Sequence, residues 1–334
     1  MRTPKPRGPV SDVLLRALSR PLRPLEPPVL TVPLTVPADP LADDDWQLAL
    51  YCCYELHYRG FEGVDERWEW EPSLLALRAA LETVFEAALT AAIGPPIAAA
   101  QPVDLALRVL AEDGTAPSVS RYLERYATTA QLLEFLVHRS IYQLKEADPH
   151  TWAIPRLAGP PKAALVEIQT DEYGGGRPER VHAQMFADTL DTVGLDSTYG
   201  VYLDKIPGVT LATVNLMSLC GLHRRLRGAI CGHLALFEMT SSIPNRRYAV
   251  GLRRLGFREP QATAFFDEHV EADAVHEQIA VVDLAGGLAR QEPQLAGDIL
   301  WGARALDELD RRWARHVLDA WGQDRTSLRG GRMM

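Results

Sequence analysis

Two histidines and an aspartate stand out in the stretch FFDEHVEADAVHEQIA, residues 265–280. On a helix, His269, Asp273 and His276 occupy positions i, i+4 and i+7 and lie within about 60° of one another. Apolar residues share this side of the helix, whereas glutamates lie opposite. Buried imidazole and carboxylate groups are costly unless they are paired or bind a metal. The trio therefore predicts an inward-facing polar site, with a solvated acidic helix face as the alternative.

A single carboxylate, Glu238, lies in the strongly apolar stretch GHLALFEMTSS. A carboxylate in such surroundings is expected to be paired, protonated or bound to a metal. His233 is about 140° away around the same helix and cannot share the face of Glu238. We therefore interpret His233 as a packing or capping residue.

A third candidate lies in VEIQTDEYGGGRPERVHAQMF, where Gly174–Gly176 interrupt a helical pattern that restarts at Pro178. Glu172 precedes the glycines, which would let the backbone fold its carboxylate back toward His182. Glu179 and His182 are instead i, i+3 on the restarted helix, a Glu-x-x-His arrangement that di-iron bundles use. We prefer Glu172 as the first carboxylate and keep Glu179 as the alternative.

Other polar residues have simpler explanations. Glu134 and His138 are i, i+4 on one helix, but a core hydrogen bond or a surface pair is the favoured interpretation. The arginines of CGLHRRLRG could neutralise an acidic substrate, although arginines at a helix end usually complement the helix dipole and face solvent.

The candidate donors combine imidazoles with carboxylates, and no cysteine is placed to join them. This mixture suits iron or manganese better than a structural zinc site. Three histidines and three carboxylates are enough for two metals, so the sequence predicts a dinuclear centre. The predicted ligands are Glu172, His182, Glu238, His269, Asp273 and His276.

Helices must position these side chains, because apolar residues recur at i, i+3, i+4 and i+7 from Asp43 onward while β-branched alternation is scarce. We predict an all-α fold. Ten of the 24 prolines lie in the first 40 residues, so 1–39 is predicted to be a mostly irregular tail, with a short helical piece near Ser11. One helical domain is expected over 40–324, followed by a loose C-terminus, 325–334.

The 334 residues carry a net charge of −9, which argues against binding to a nucleic-acid backbone. None of the four cysteines forms a CxxC pair, and no signal peptide is recognisable, so we expect a cytoplasmic protein. No window has the 18 or more apolar residues of a membrane span.

Taken in order, these elements resemble the haem-oxygenase-like di-iron oxidases and oxygenases, also called iron-containing redox enzymes. The resemblance rests on His269-x3-Asp273-x2-His276, on Glu238 about thirty residues earlier and on His182 about fifty-five residues before that. It covers roughly 118–300, with the helices of 40–115 as an N-terminal extension. It implies a haem-oxygenase-like multi-helix bundle without haem.

The resemblance further implies two iron ions and O2 as co-substrate. The expected activity is a non-haem di-iron oxidase or oxygenase acting on a small amino-acid- or fatty-acid-derived molecule, by N-oxygenation or by oxidative C–C cleavage or decarboxylation. It implies Glu238 as a bridging or bidentate ligand, with an external electron donor and a homodimer as further expectations. Gly286 and Gly287 predict an interruption of the helix that carries Asp273.

Two other functions must be weighed. The same fold could serve as a metal-independent module that binds a ligand or a partner, because function depends on the site rather than the fold. A haem oxygenase proper would need a proximal histidine, for which His138 is the candidate. Convergence of the predicted ligands within metal-binding distance separates the di-iron enzyme from both.

Overall fold

A computed structural model describes residues 1–25, 36–112 and 117–331, and within them the side chains of 271–275 lie outside the description. The described residues form helices and connecting turns without a β-strand. The prediction of an all-α multi-helix bundle with an N-terminal helical extension is therefore confirmed. None of the described helices is both long and apolar enough to cross a membrane.

The α-helices are numbered here in chain order. The N-terminal extension contains α1 (Pro9–Leu18), α2 (Asp44–Glu55), α3 (Pro72–Ile93) and α4 (Val103–Ala111). The following part contains α5 (Val119–Arg125), α6 (Thr129–Gln143), α7 (Asp148–Thr151), α8 (Gly159–Glu172), α9 (His182–Thr192), α10 (Gly208–Leu222), α11 (Arg227–Arg254), α12 (Pro260–Gln278), α13 (Gly287–Gln291) and α14 (Ala296–Gly322). Short 3₁₀ turns lie at Glu66–Trp70, Ile154–Arg156, Gly174–Gly176, Pro178–Arg180, Leu203–Lys205, Arg224–Leu226 and Pro293–Leu295.

Helices α11 and α14 approach each other closely, because glycines remove side chains from their contact. A Cβ atom added to Gly232 would lie 1.8 Å from the carbonyl oxygen of Ile299, and one added to Gly302 would lie 2.0 Å from that of Ala229. Such close packing of two long helices fixes α11, which carries Glu238, against the body of the bundle.

The helix α12 does not stop at its two downstream glycines. It passes into a π-helical segment, Ile279–Gly286, and then into α13, and Gly286 and Gly287 both have helical backbone angles. The predicted interruption at these glycines is therefore wrong, because the helix continues through them, first as a π-helix and then as an α-helix. Such π-helical turns are rare and often lie near functional sites.

The N-terminal extension is joined to the rest of the bundle by a buried ion pair. Lys145 Nζ lies 2.9 Å from Glu55 Oε2, and both side chains are almost completely excluded from solvent. The hydroxyl of Tyr199 donates to the same carboxylate, and the ammonium faces the rings of Tyr51 and Tyr58. Every charge of this cluster is thus matched within the fold, as buried charges require.

Described residues near both chain ends contact the helical bundle. The predicted helical piece is α1, whose Ser11 does not cap the helix but donates to Asp45 on α2. Near the other end, Ser327 contacts Glu134 through its backbone amide and its hydroxyl, at 2.9 Å each. The segment predicted to be loose is therefore packed at Ser327, while the division into tail, domain and C-terminus stays a prediction.

Candidate metal centre

His269 and His276 point into the bundle from α12, and both are buried. His269 Nδ1 donates to the carbonyl oxygen of Phe265 at 2.7 Å, so its Nε2 carries the free lone pair. His276 Nε2 lies 3.1 Å from Asp171 Oδ2, which directs its Nδ1 inward. Metal-binding histidines commonly hold their second nitrogen in this way, one to a carbonyl and one to a carboxylate.

The glycine turn brings Glu172 and His182 together. Gly174, Gly175 and Gly176 all have positive φ, between 59° and 78°, which reverses the chain after α8. A Cβ atom at Gly174 would lie 2.6 Å from the backbone of Arg180, so the turn is too tight for any side chain there. As a result, Glu172 Oε2 and His182 Nδ1 lie 3.0 Å apart.

Glu238 faces His276 from α11. Its Oε2 atom lies 3.6 Å from His276 Nδ1, too far for a hydrogen bond. One ligand atom each from Glu172, Glu238 and His276 lies within 4.8 Å of the others. These three buried side chains form the first donor group.

A second donor group includes a residue that the sequence analysis missed. Glu146 follows α6 in a tight turn, next to Ala147 with a φ of 74°, and its Oε2 lies 3.6 Å from His269 Nε2. Ligand atoms of Glu146, Glu172, His182 and His269 lie within 4.8 Å of one another. The only sequence signal for Glu146 is a carboxylate that follows the apolar residues of α6.

Glu172 belongs to both donor groups. A carboxylate has two oxygens and can therefore serve two metal ions at once. Among the described side chains, Glu172 belongs to both groups and Glu238 to one, and the expected role of Glu238 as a bridging or bidentate ligand stays a prediction. A cavity of about 10 Å³ lies among Glu146, Glu172, Glu238 and His269, the space of about one water-sized guest.

The charged side chains of the two donor groups shift one another's pKa values. Burial would raise the pKa of Glu172, but His182 and, less strongly, His269 and His276 bring it down to about 2. Burial opposes protonation of His276, yet Glu238 and Asp171 raise its pKa to about 9. The pKa of His182 is raised in the same way by Glu172, whereas burial lowers that of His269 to about 4.

The positions of these donor atoms suit coordination of a metal ion better than hydrogen bonding to one another. Three buried donor atoms, Glu172 Oε2, His182 Nδ1 and His276 Nδ1, form no hydrogen bond within the described part of the chain. Glu172 Oε2 and His182 Nδ1 are 3.0 Å apart, but their relative orientation is not that of a hydrogen bond. Two donor atoms that are each about 2.1 Å from one metal ion lie about 3 to 3.5 Å apart, close to the separations between these nitrogens and carboxylates. Imidazole and carboxylate donors without thiolates suit iron.

The remaining predictions have different outcomes. Glu179 is exposed, and the extended backbone of Val181 separates it from α9, so the interpretation that Glu179 and His182 share one helix is wrong. Asp273 lies on α12, but its side chain falls within 271–275, outside the described side chains. Its part in the site stays a prediction.

The polar residues that the sequence analysis did not assign to the metal site have partners outside it. Both ring nitrogens of His138 have hydroxyl partners, Thr210 and Ser327, which leaves none for haem iron. Glu134 accepts hydrogen bonds in the core, as predicted. His233 is a buried packing residue that contacts His150. Two arginines of the CGLHRRLRG stretch pair with carboxylates, Arg225 with Glu86 and Arg227 with Glu292.

Comparison with known proteins relates this geometry to chemistry. The model of a family described as iron-containing redox enzymes matches residues 133–311, more than half of the chain and a range that includes both donor groups. A nitrosourea synthase of Streptomyces achromogenes subsp. streptozoticus is 29% identical over 137 residues. The match covers 41% of this chain and 29% of that protein, so the chain spans less than a third of the length of this relative.

Proposed function

The chain belongs to the iron-containing redox enzyme family, and from that premise we propose that it is a non-haem di-iron oxidase or oxygenase that uses O2 to oxidise a small organic molecule. The observation that carries this proposal is the pair of buried donor groups that share Glu172. A structural role would require one closed site of four ligands, whereas two adjoining sets of oxygen and nitrogen donors suit a reactive dinuclear centre.

The donors divide between two iron ions. Glu146, His182 and His269 would hold one ion, Glu238 and His276 the other, and Glu172 would lie between them. Asp273 remains a further predicted ligand. Two iron ions held there would supply electrons to O2, with an external donor restoring them after turnover.

The protein's own residues prepare this site in three ways. Burial of all six described donors keeps bulk water from the reacting atoms. The Phe265 carbonyl and the Asp171 carboxylate fix the orientation of His269 and His276, so that each directs its other ring nitrogen toward the centre. A larger cavity reaches Glu146 and His269 and gives a small molecule access to the centre.

The relative supports oxidation at a nitrogen atom. A nitrosourea carries an oxidised nitrogen, so the name of that synthase favours N-oxygenation over C–C cleavage or decarboxylation for this chain. The match covers 41% of this chain, and the proposal names the type of reaction, N-oxygenation, without a specific substrate.

The test is an anaerobic Fe(II) titration of metal-free protein, with bound iron counted after gel filtration. We expect two ions per chain in the wild type. Glu146→Ala and Glu238→Ala should each retain one ion, whereas Glu172→Ala should lose both, because Glu172 is the one described side chain that contributes to both groups. Glu179→Ala is the matched control, since Glu179 is exposed.

Exposure of the loaded protein to O2 completes the test. A transient visible absorption band that is lost in Glu172→Ala is the expected result. If no stoichiometric iron binds, the chain is a metal-independent binding module instead. If the three variants bind iron like the wild type, these donor groups are not the iron site and the proposal is refuted.

A further inference from the structure

A cavity of about 680 Å³ connects the candidate metal centre with the surface. Buried Glu146 and His269 line its inner end, and exposed Arg121 and Tyr126 line its outer part. Its walls come mainly from α5, α6, α11 and α14. Cavities of this size take small organic molecules, and a few polar groups usually fix the orientation of the guest.

The first such polar group is the guanidinium of Arg139. Arg139 lies one helical turn before Gln143 on α6, and both side chains line the cavity. Its Nε is buried without a hydrogen bond, and within the described ranges the guanidinium has no ion pair. It faces the ring of Trp313, 5.9 Å from the ring centre. The other half-buried arginines of the cavity, Arg247 and Arg311, lie near carboxylates.

The second polar group is the carboxylate of Asp310 on α14. Asp310 lines the same cavity as Arg139 but is not within ion-pair distance of it, and it accepts no hydrogen bond from the part of the chain that the structure describes. Burial raises the pKa of Asp310 to about 6, although the positive charge of Arg139 opposes this effect. The two opposite charges are therefore neighbours that lack direct contact.

We propose that this cavity binds an α-amino acid, whose carboxylate is held by Arg139 and whose ammonium group is held by Asp310. The inference rests on the proposed function and names its substrate class. A guanidinium matches a carboxylate through two parallel hydrogen bonds, and the charges of an amino acid are adjacent, like those of this pair. Asn245, which also lines the cavity, offers a further amide.

A fatty acid fits this cavity less well. Its carboxylate would satisfy Arg139, but the half-buried carboxylate of Asp310 would receive no donor from the ligand. The wall mixes apolar side chains with charged and hydroxyl-bearing ones, and an alkyl chain would leave these polar groups without partners. An anchored amino acid leaves its side chain as the part that extends toward Glu146 and His269.

The experiment measures binding without turnover, by anaerobic calorimetry on iron-loaded protein and again on metal-free protein. The probes are the common L-amino acids, then, for any that binds, its N-acetyl derivative and its decarboxylated amine, with octanoate as the fatty acid. We expect one or more amino acids to bind and both derivatives to bind about tenfold or more weakly, since each lacks one of the two charges.

Two variants assign the charges to residues. Arg139→Gln should weaken the amino acid about tenfold or more and leave the amine unchanged, whereas Asp310→Asn should weaken the amino acid and leave the N-acetyl derivative unchanged. Arg247→Gln is the matched control, because Arg247 lines the cavity beside Glu124 and should not alter binding. If Arg139→Gln does not fold, the probe series on the wild type still decides.

Binding of octanoate alone, binding of no amino acid, or equal affinities in both variants and the wild type would overturn the inference. The proposed function is tested separately, by the number of iron ions bound per chain. Iron binding without amino-acid binding refutes the substrate class alone, and amino-acid binding without iron refutes the di-iron function alone.

Discussion

Removal of one charge from the buried pair of Lys145 and Glu55 should destabilise the protein strongly. Glu55→Gln preserves the shape of the side chain but leaves the Lys145 ammonium buried beside two tyrosine rings. Loss of one partner from a buried ion pair typically costs about 3–5 kcal/mol, because the other charge stays desolvated. The pair is less than 2% exposed on both sides, so this range applies without a discount for solvent screening.

Thermal unfolding makes this cost measurable. An unfolding entropy of about 2.1 cal/mol/K per residue gives about 0.7 kcal/mol/K for 334 residues, so the loss corresponds to a fall in Tm of about 4–7 °C. The exposed pair of Arg16 and Asp12 is the control, since Asp12→Asn should cost less than about 1 kcal/mol.

The double variant Glu55→Gln/Lys145→Met tests the cause. It removes both charges, and paired removal is often neutral or stabilising, so most of the lost Tm should return. If the double variant instead loses as much as the two single variants added together, the destabilisation comes from packing and not from an uncompensated charge.

The same pair should also affect one donor group selectively. Lys145 directly precedes Glu146, so Glu55 of the N-terminal extension fixes the turn that presents this carboxylate. Loss of such a supporting contact usually weakens metal binding by about 10- to 100-fold. We expect Glu55→Gln to weaken one of two iron-binding steps and to spare the step that depends on Glu238. Equal weakening of both steps would contradict this.

Two further predictions concern pH and the glycine turn. Burial, assisted by His316 and Arg139, lowers the pKa of His138 to about 3, so the folded protein resists a proton that the unfolded chain accepts. The contribution of His138 to the free energy of unfolding should therefore fall by about 1.4 kcal/mol per pH unit below about pH 6.5. In His138→Gln, the urea concentration at the denaturation midpoint should accordingly depend less on pH between pH 6.5 and 4. Gly174→Ala should unfold more easily and bind less iron, because its Cβ would overlap the backbone. Gly175→Ala, with a φ of 59° but free space, should cost only about 1–2 kcal/mol; equal effects would refute the overlap.

The helices and most of the candidate site could be predicted because their signals are local. Apolar periodicity defined the helices, and the three glycines favoured Glu172, which lies 3.0 Å from His182, over the exposed Glu179. Glu146 could not be predicted, because what distinguishes it from Glu134 is its distance to His269 across the bundle. The ring partners of His138 likewise come from distant segments.

The hairpin between Glu172 and His182 bears on how the centre is assembled during folding. These two donors are separated by a short turn, so little chain entropy is lost when they meet, whereas Glu146 and Glu238 must arrive from distant segments. An unfolded chain thus offers iron only fragments of a site, and tight binding is reserved for the folded bundle. Under the proposed function, iron would act as a ligand of the native state, so the apparent stability of this protein should rise with the iron concentration at which it folds.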